Sequence, residues 1–348
     1  MVHNPAVDPR SSTGTAGIRH DGAVSDAPGR RRARWSWLIK AGICVALMSW
    51  IVRSADLDAV FSAMSGADFR LLALAVGMQV LGAAIIALRW QRLLAVGGIE
   101  PGFPFLWGST VSSCFFRQFL PSVFGGDAIR GYDAWRAGAR PGFAAMSLIV
   151  DRLFGLLALV FFIAVAGLAM NQMADGLPGL WAWTMLAAIG VIGGLAVLLA
   201  PGHIPLPRRT PAKIHKMIQA LRAFQGARGV IGPCLGFSLL LQINVVTFYW
   251  VLSQSLGLDV PYAAFYAIVP IAIFAMMAPF TINGIGIREA IFIFLLGLWG
   301  IDASLALAFA WIEFATVLAV GLVGGAVYAL RRAPMPPRAP TMDAPHGP

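Results

Sequence analysis

Apolar positions in this chain gather in long unbroken runs rather than at the spacing of one helix face. Leu153–Met170 and Leu180–Ala200 contain no charged residue. Such runs predict helices that are apolar on every side. Six reach the length that crosses about 30 Å of hydrocarbon: Trp35–Val52, Leu71–Leu88, Phe143–Met170, Leu180–Ala200, Ile231–Leu256 and Ala303–Leu330. A membrane barrel would instead alternate apolar and polar residues. Two further stretches are apolar, are broken by Pro and Gly, and then resume with a charge. One is Phe103–Arg130, containing FFRQFLPSVFGGDAIR, and the other is Tyr262–Gly300, containing MMAPFTINGIGIRE. Backbone groups freed by such breaks must face protein or a wet cavity at membrane depth. The expectation is two re-entrant hairpins, broken at Pro121 and Pro279, with eight full spans as the alternative.

Composition supports this class. Of the 348 residues, 58% are hydrophobic and 12% are charged, with a mean hydropathy of +0.76. Soluble domains are about 25% charged, and a soluble core of this size cannot bury so much apolar surface. The fold expected is an all-α polytopic membrane protein. Its basic residues predict the orientation. With six spans, residues 1–34, 89–140, 201–230 and 331–348 share one side and hold six, six, six and three of the 26 Lys and Arg. That side is then cytoplasmic, with both termini. Eight spans would put Arg130, Arg136 and Arg140 outside. Residues 1–34 and 331–348 lack an apolar period and read as disordered cytoplasmic tails flanking a transmembrane domain at 35–330. The net charge of +10 reflects this sorting, and no nucleic acid partner is expected. Cys44, Cys114 and Cys234 lack any paired spacing, so neither a metal site nor a cofactor is expected.

The two broken stretches align without a gap. Pro121 matches Pro279, Gly126 matches Gly284, Ile129 matches Ile287 and Arg130 matches Arg288, each 158 positions apart. Each half, 35–170 and 180–330, reads span, span, hairpin, span. An odd number of spans inverts the second copy, the plan of secondary transporters whose broken helices meet near the midplane.

GGDAIRGYDAWRAG, DRLFG and PFTINGIGIREAIF resemble signatures of the transmembrane-region family named after lysylphosphatidylglycerol synthase, also called flippase-like. The resemblance covers roughly residues 35–330. It implies movement of lipid across the bacterial cytoplasmic membrane, of phosphatidylglycerol derivatives or of isoprenoid lipids. The namesake also carries a soluble aminoacyl-transferase domain. No stretch of this chain reads as that domain, so the synthase activity is not carried over.

Arg130 and Arg288 are the leading site candidates. Each follows its matched Gly by four residues, about 6 Å along a helix. A guanidinium meets phosphate with two parallel hydrogen bonds. Alternatively each Arg caps orphan carbonyls of the break, or pairs with a carboxylate such as Asp127. Gly125, Gly126, Gly284 and Gly286 permit a sharp turn or close approach. Asn283 bonds either backbone or ligand, and Arg117 with Gln118 precedes the first break and faces a headgroup path. Asp151, Arg152 and Glu313 lie inside apolar helices. Shifting Glu313 back by 158 gives Gly155, one turn from Asp151. These carboxylates either carry protons or form structural ion pairs. Glu289 points about 100° away from Arg288 on a helix, so no pair between them is expected.

The leading expectation is therefore a lipid transporter for an anionic or polyprenyl phospholipid headgroup, not an enzyme. A lipid-modifying enzyme would need a cluster of acid–base groups. The 201–230 loop offers His203, Lys213, His215 and Lys216 without a carboxylate. A third class is a non-catalytic membrane subunit for a synthase or glycosyltransferase partner.

Overall fold

The computed structural model of the chain describes positions within 42–53, residues 56–119 and 125–173, positions within 185–196, residue 224, and residues 226–276 and 284–331. The N-terminal tail, most of the runs 35–52 and 180–200, Pro121, Pro279, Asn283 and the tail from 332 lie outside the described residues.

The described residues form helices: α1 Leu57–Ser65, α2 Phe69–Ala95, α3 Phe103–Phe119, α4 Gly125–Arg136, α5 Pro141–Met173, α6 Arg228–Ser255, α7 Tyr262–Met276, α8 Ile287–Gly297 and α9 Ala303–Leu330. Phe69–Ala95, Pro141–Val165, Gly229–Ser255 and Ala303–Leu330 are long and apolar enough to cross a membrane. They coincide with four of the six spans read from the sequence. This is a multi-pass α-helical membrane protein. Helices α3, α4, α7 and α8 hold 17, 12, 15 and 11 residues. At about 1.5 Å per residue each is shorter than the hydrocarbon layer.

Local chemistry sets the helix ends. Asp56, Asp68 and Asp302 cap α1, α2 and α9 by accepting bonds from backbone N–H groups of the first turn. Gly98, Gly257 and Gly300, with φ of 72°, 66° and 76°, end α2, α6 and α8, where an L side chain would be strained. Helix α1 falls in what the sequence presents as a polar link between Arg53 and Arg70. Its Asp56 cap and buried Val60 explain the difference, because Val60 packs with Ile51, Leu307 and Ala308.

Helices α2 and α6 run antiparallel in close contact. Asp68 N donates to Ser255 O at one end (2.9 Å), and Arg89 Nη1 donates to Ser238 Oγ toward the other (2.7 Å). Between them a Cβ on Gly82 would sit 3.2 Å from Asn244 Oδ1. Helix α3 packs on α9 and α5 on α7. The α3–α9 approach requires Gly324 and Gly325, since a Cβ on Gly324 would collide with the Val111 carbonyl and one on Gly325 with the Phe115 ring.

Two apolar cores follow. One joins Trp90, Leu94, Leu106, Phe154 and Ile231, at the C-terminal part of α2. The other joins Tyr249, Phe265, Phe292 and Phe309, toward the C-terminal part of α6. Aromatic rings fill the second core, with Phe292 and Phe309 edge to face at 5.1 Å.

Candidate functional site

Each apolar core holds one buried cluster of charged side chains. The first centres on Asp151, which is 2% exposed. Helix α2 brings Arg89, whose Nε donates to Asp151 Oδ1 at 2.7 Å. Helix α4 brings Arg130, whose Nη1 donates to Asp151 Oδ2 at 3.1 Å. The two carboxylate oxygens are thus divided between two guanidinium groups. Helix α6 adds Ser238, which accepts from Arg89 and donates to the Cys234 carbonyl. The Arg130 guanidinium lies over the Trp90 ring, 4.4 Å from its centroid, and Trp90 Nε1 donates to Ser147 Oγ. Among the described residues Arg130 nevertheless keeps Nε and Nη2 without a hydrogen-bond partner, although it is 6% exposed. At the rim, Arg152 Nε donates to Asp127 Oδ2. Asp127 is only a distant partner of Arg130, at 3.9 Å.

The second cluster centres on Glu313 of α9. Tyr249 of α6 donates its hydroxyl proton to Glu313 Oε1 at 3.2 Å. Arg288 of α8 approaches Glu313 Oε2 at 3.5 Å, and that oxygen accepts no hydrogen bond. Arg288 is held mainly by its neighbour: Nη2 donates to Glu289 Oε1 at 2.9 Å and Nε at 3.3 Å. This corrects the expectation that adjacent positions on a helix keep Arg288 and Glu289 apart. Helix α8 begins at Ile287, and Glu289 folds back so that its Oε2 accepts from Gly286 N at 2.6 Å. Its other oxygen then faces the long Arg288 side chain. The Arg288 guanidinium also lies 4.5 Å from the Phe314 ring centroid.

The matched glycines serve different ends. Gly284 and Gly286 have φ of 75° and 86° in the turn before α8. Gly125 and Gly126 are helical in α4, and a Cβ on Gly126 would lie 2.6 Å from the Ser113 carbonyl. Arg130 therefore sits in the second turn of its helix, whereas Arg288 sits at the second position of its own. Arg117 is exposed at the end of α3, with its charge close enough to attract Glu313. The structure thus gathers Arg130 with Asp151, Asp127 and Arg152, and Arg288 with Glu289 and Glu313.

Sequence reading did not single out Arg89, Ser238 or Tyr249. Arg89 looks like the polar end of an apolar run, yet α2 continues to Ala95 and buries it at 4% exposure. An Arg six residues inside a helix that continues as RWQRLLA was the available signal. Arg331 was also missed: its Nη1 donates to Asp133 Oδ2 of α4 at 2.9 Å. Among the described residues, no group of three or more His, Cys, Asp or Glu could hold a metal ion.

A search of curated proteins gave no match. The sequence model described as the lysylphosphatidylglycerol synthase transmembrane region matches residues 37–325. That interval includes both buried clusters and, apart from the last residues of α9, every helix that contributes to them, and on this evidence the chain belongs to the lysylphosphatidylglycerol synthase transmembrane-region family.

Proposed function

We propose that this protein moves the phosphate-bearing headgroup of an anionic or polyprenyl phospholipid across the membrane, with Arg130 as the headgroup contact. The carrying observation is the half-used guanidinium. Asp151 holds one edge of Arg130, Trp90 lies beneath it, and two buried N–H positions have no partner. Leaving such donors unmet in an apolar core costs about 1–3 kcal/mol or more. A phosphate oxygen pair satisfies them with the planar geometry that guanidinium offers.

An inverted repeat supports a transport cycle. Helices α2, α3, α4 and α5 correspond in order and approximate length to α6, α7, α8 and α9. Their packing corresponds as well: α3 on α9 matches α7 on α5, and α4 on α5 matches α8 on α9. The counterparts α2 and α6 pack antiparallel, as expected of copies related by an axis in the membrane plane. Asp151 and Glu313 both lie ten residues beyond the first residue of their helices, Pro141 and Ala303. By that measure the carboxylates are direct counterparts, closer than a uniform shift of 158 implies.

Contacts between chain ends support the orientation read from the basic residues. Arg331 with Asp133 joins two segments assigned to the cytoplasm, and the Phe143 ring, at the start of a span that follows one of them, stacks on Phe224 of another at 5.3 Å. Both ends of the α3–α4 hairpin line one open cleft of about 520 Å³ with Gly98, Gly102, Phe105 and Arg136, as a re-entrant pair would. Within the ion pairs of the described residues, the Glu313 cluster has one cation for two carboxylates, a surplus that a coupling proton or cation would balance.

The test is reconstitution of the purified protein in vesicles with fluorescent phosphatidylglycerol in one leaflet. Transport predicts accelerated exchange between leaflets, with lipid recovered chemically unchanged. A modified lipid, or no acceleration, overturns the reading.

A further inference from the structure

Between the two charged clusters lies a polar side chain that neither cluster uses. Gln242 of α6 is 7% exposed, and its Nε2 has no hydrogen-bond partner among the described residues. It lies one helical turn from Ser238 and about two turns from Tyr249. At 100° per residue the three fall within about 40° of one another around α6. Ser238 bonds the Arg89 end of the first cluster and Tyr249 the carboxylate of the second. The same buried stripe therefore carries one donor toward each cluster and one unused donor between them.

The packing of α2 on α6 gives that donor a special place. Arg89 meets Ser238, Gly82 meets Leu241 and Asn244, and Asp68 meets Ser255. Under the correspondence of 158, an α2 residue comes level with its own counterpart near Gly82, which meets Leu241 and Asn244, and Gln242 lies at that level of α6. That crossing is where a pseudo-twofold axis passes between the repeats. On the α2 side the residues are the smallest available, while Gln242 introduces an amide.

We infer that Gln242 is a headgroup-positioning residue, whose Nε2 donates to the lipid phosphate as it leaves Arg130 at the crossing of the two repeats. The inference rests on the transport reading. An unmet buried amide donor destabilises the resting protein. A passing phosphate supplies the acceptor, and one turn of helix brings it from the Arg89–Asp151–Arg130 cluster to Gln242.

The experiment measures exchange of fluorescent phosphatidylglycerol in reconstituted vesicles for wild type, Gln242→Leu, Gln242→Glu and Arg130→Lys, each with its melting temperature. Gln242→Leu is expected to slow exchange about tenfold, the loss of one hydrogen bond to a charged group. Its melting temperature should stay level or rise, because an unmet amide is removed. Gln242→Glu replaces the donors with acceptors and should be at least as slow. Full-rate exchange by Gln242→Leu beside a slow Arg130→Lys overturns this assignment and leaves the transport reading standing. A loss of rate that tracks a loss of melting temperature in both Gln242 variants also overturns it. A wild-type protein that exchanges no lipid overturns the transport reading and this assignment together. Uptake of radiolabelled inorganic phosphate that depends on Gln242 would assign the site to a free anion instead and overturn the lipid assignment.

Discussion

The two charged clusters occupy corresponding places but are built to opposite balances. Around Asp151, Arg89, Arg130 and Arg152 face the carboxylates of Asp127 and Asp151, one formal positive charge in excess. Around Glu313, the ion pairs among the described residues set Arg288 against Glu289 and Glu313, one formal negative charge in excess within those pairs. In the first cluster the unused groups are donors, Arg130 Nε and Nη2. In the second the unused group is an acceptor, Glu313 Oε2. Correspondence of position has not preserved equivalence of chemistry. The first cluster suits a phosphate, and the second suits a proton or a cation. Two identical phosphate clamps, the picture that matched arginines invite, would not show this difference.

The sharpest way to break the comparison is to neutralise each central carboxylate. Asp151→Asn leaves Arg89 buried without its carboxylate and Arg130 with only the distant Asp127, 3.9 Å away. Breaking a buried ion pair from one side costs about 3–5 kcal/mol, so the variant should fall strongly in melting temperature and in yield of monodisperse protein. Glu313→Gln removes the surplus charge while Arg288 keeps Glu289. Its melting temperature should change by much less. Equal losses in the two variants, measured by thermal unfolding in detergent, would mean that the clusters are equivalent after all.

Replacing the arginines should separate transport from stability. Arg130→Lys keeps a charge for Asp151 but loses the planar fork. Exchange of fluorescent phosphatidylglycerol should slow by roughly ten- to a hundredfold, the worth of a charged hydrogen bond. Arg288→Lys gives up the two bonds to Glu289, so its main effect should be on melting temperature. The pH dependence sharpens the same point. If Glu313 is the coupling carboxylate, Glu313→Gln should flatten the dependence of exchange rate on pH, whereas Arg130→Lys should lower the rate at every pH. A Glu313→Gln protein with the wild-type pH profile would remove proton coupling from this cluster.

Long apolar runs made four spans legible, because lipid leaves the sequence little freedom. The matched Gly and Arg positions pointed to half of each cluster, because charges inside apolar stretches are few and restricted in place. What stayed hidden has a physical cause in each case. Arg89 sits where an apolar run gives way to charge, a position that normally marks the interface, and only the continuation of α2 to Ala95 buries it. Ser238 and Tyr249 are ordinary residues of an apolar helix until the packing of α6 on α2 and on α9 brings Arg89 to the one and Glu313 to the other. The Arg288–Glu289 pair depends on where α8 begins, a boundary set by the φ of Gly284 and Gly286 rather than by side-chain spacing.

The two hydroxyls of α6 offer the finest distinction. Ser238 accepts from Arg89 and donates to the Cys234 carbonyl, both at 2.7 Å, so Ser238→Ala strands a buried guanidinium donor. Leaving such a donor unmet costs about 1–3 kcal/mol. Tyr249→Phe removes a longer bond, 3.2 Å, to a carboxylate that still has Arg288 nearby. It should cost about 1 kcal/mol, a typical net hydrogen bond. The two effects also differ in what they depend on. Combined with Glu313→Gln, Tyr249→Phe should lose most of its effect, because its partner is no longer a carboxylate and the pair is coupled. Ser238→Ala should remain additive with Glu313→Gln, since the two residues share no partner. Thermal unfolding of the three single and two double variants measures both couplings. Strong coupling between Ser238 and Glu313 would join the clusters into one network and end the contrast between them.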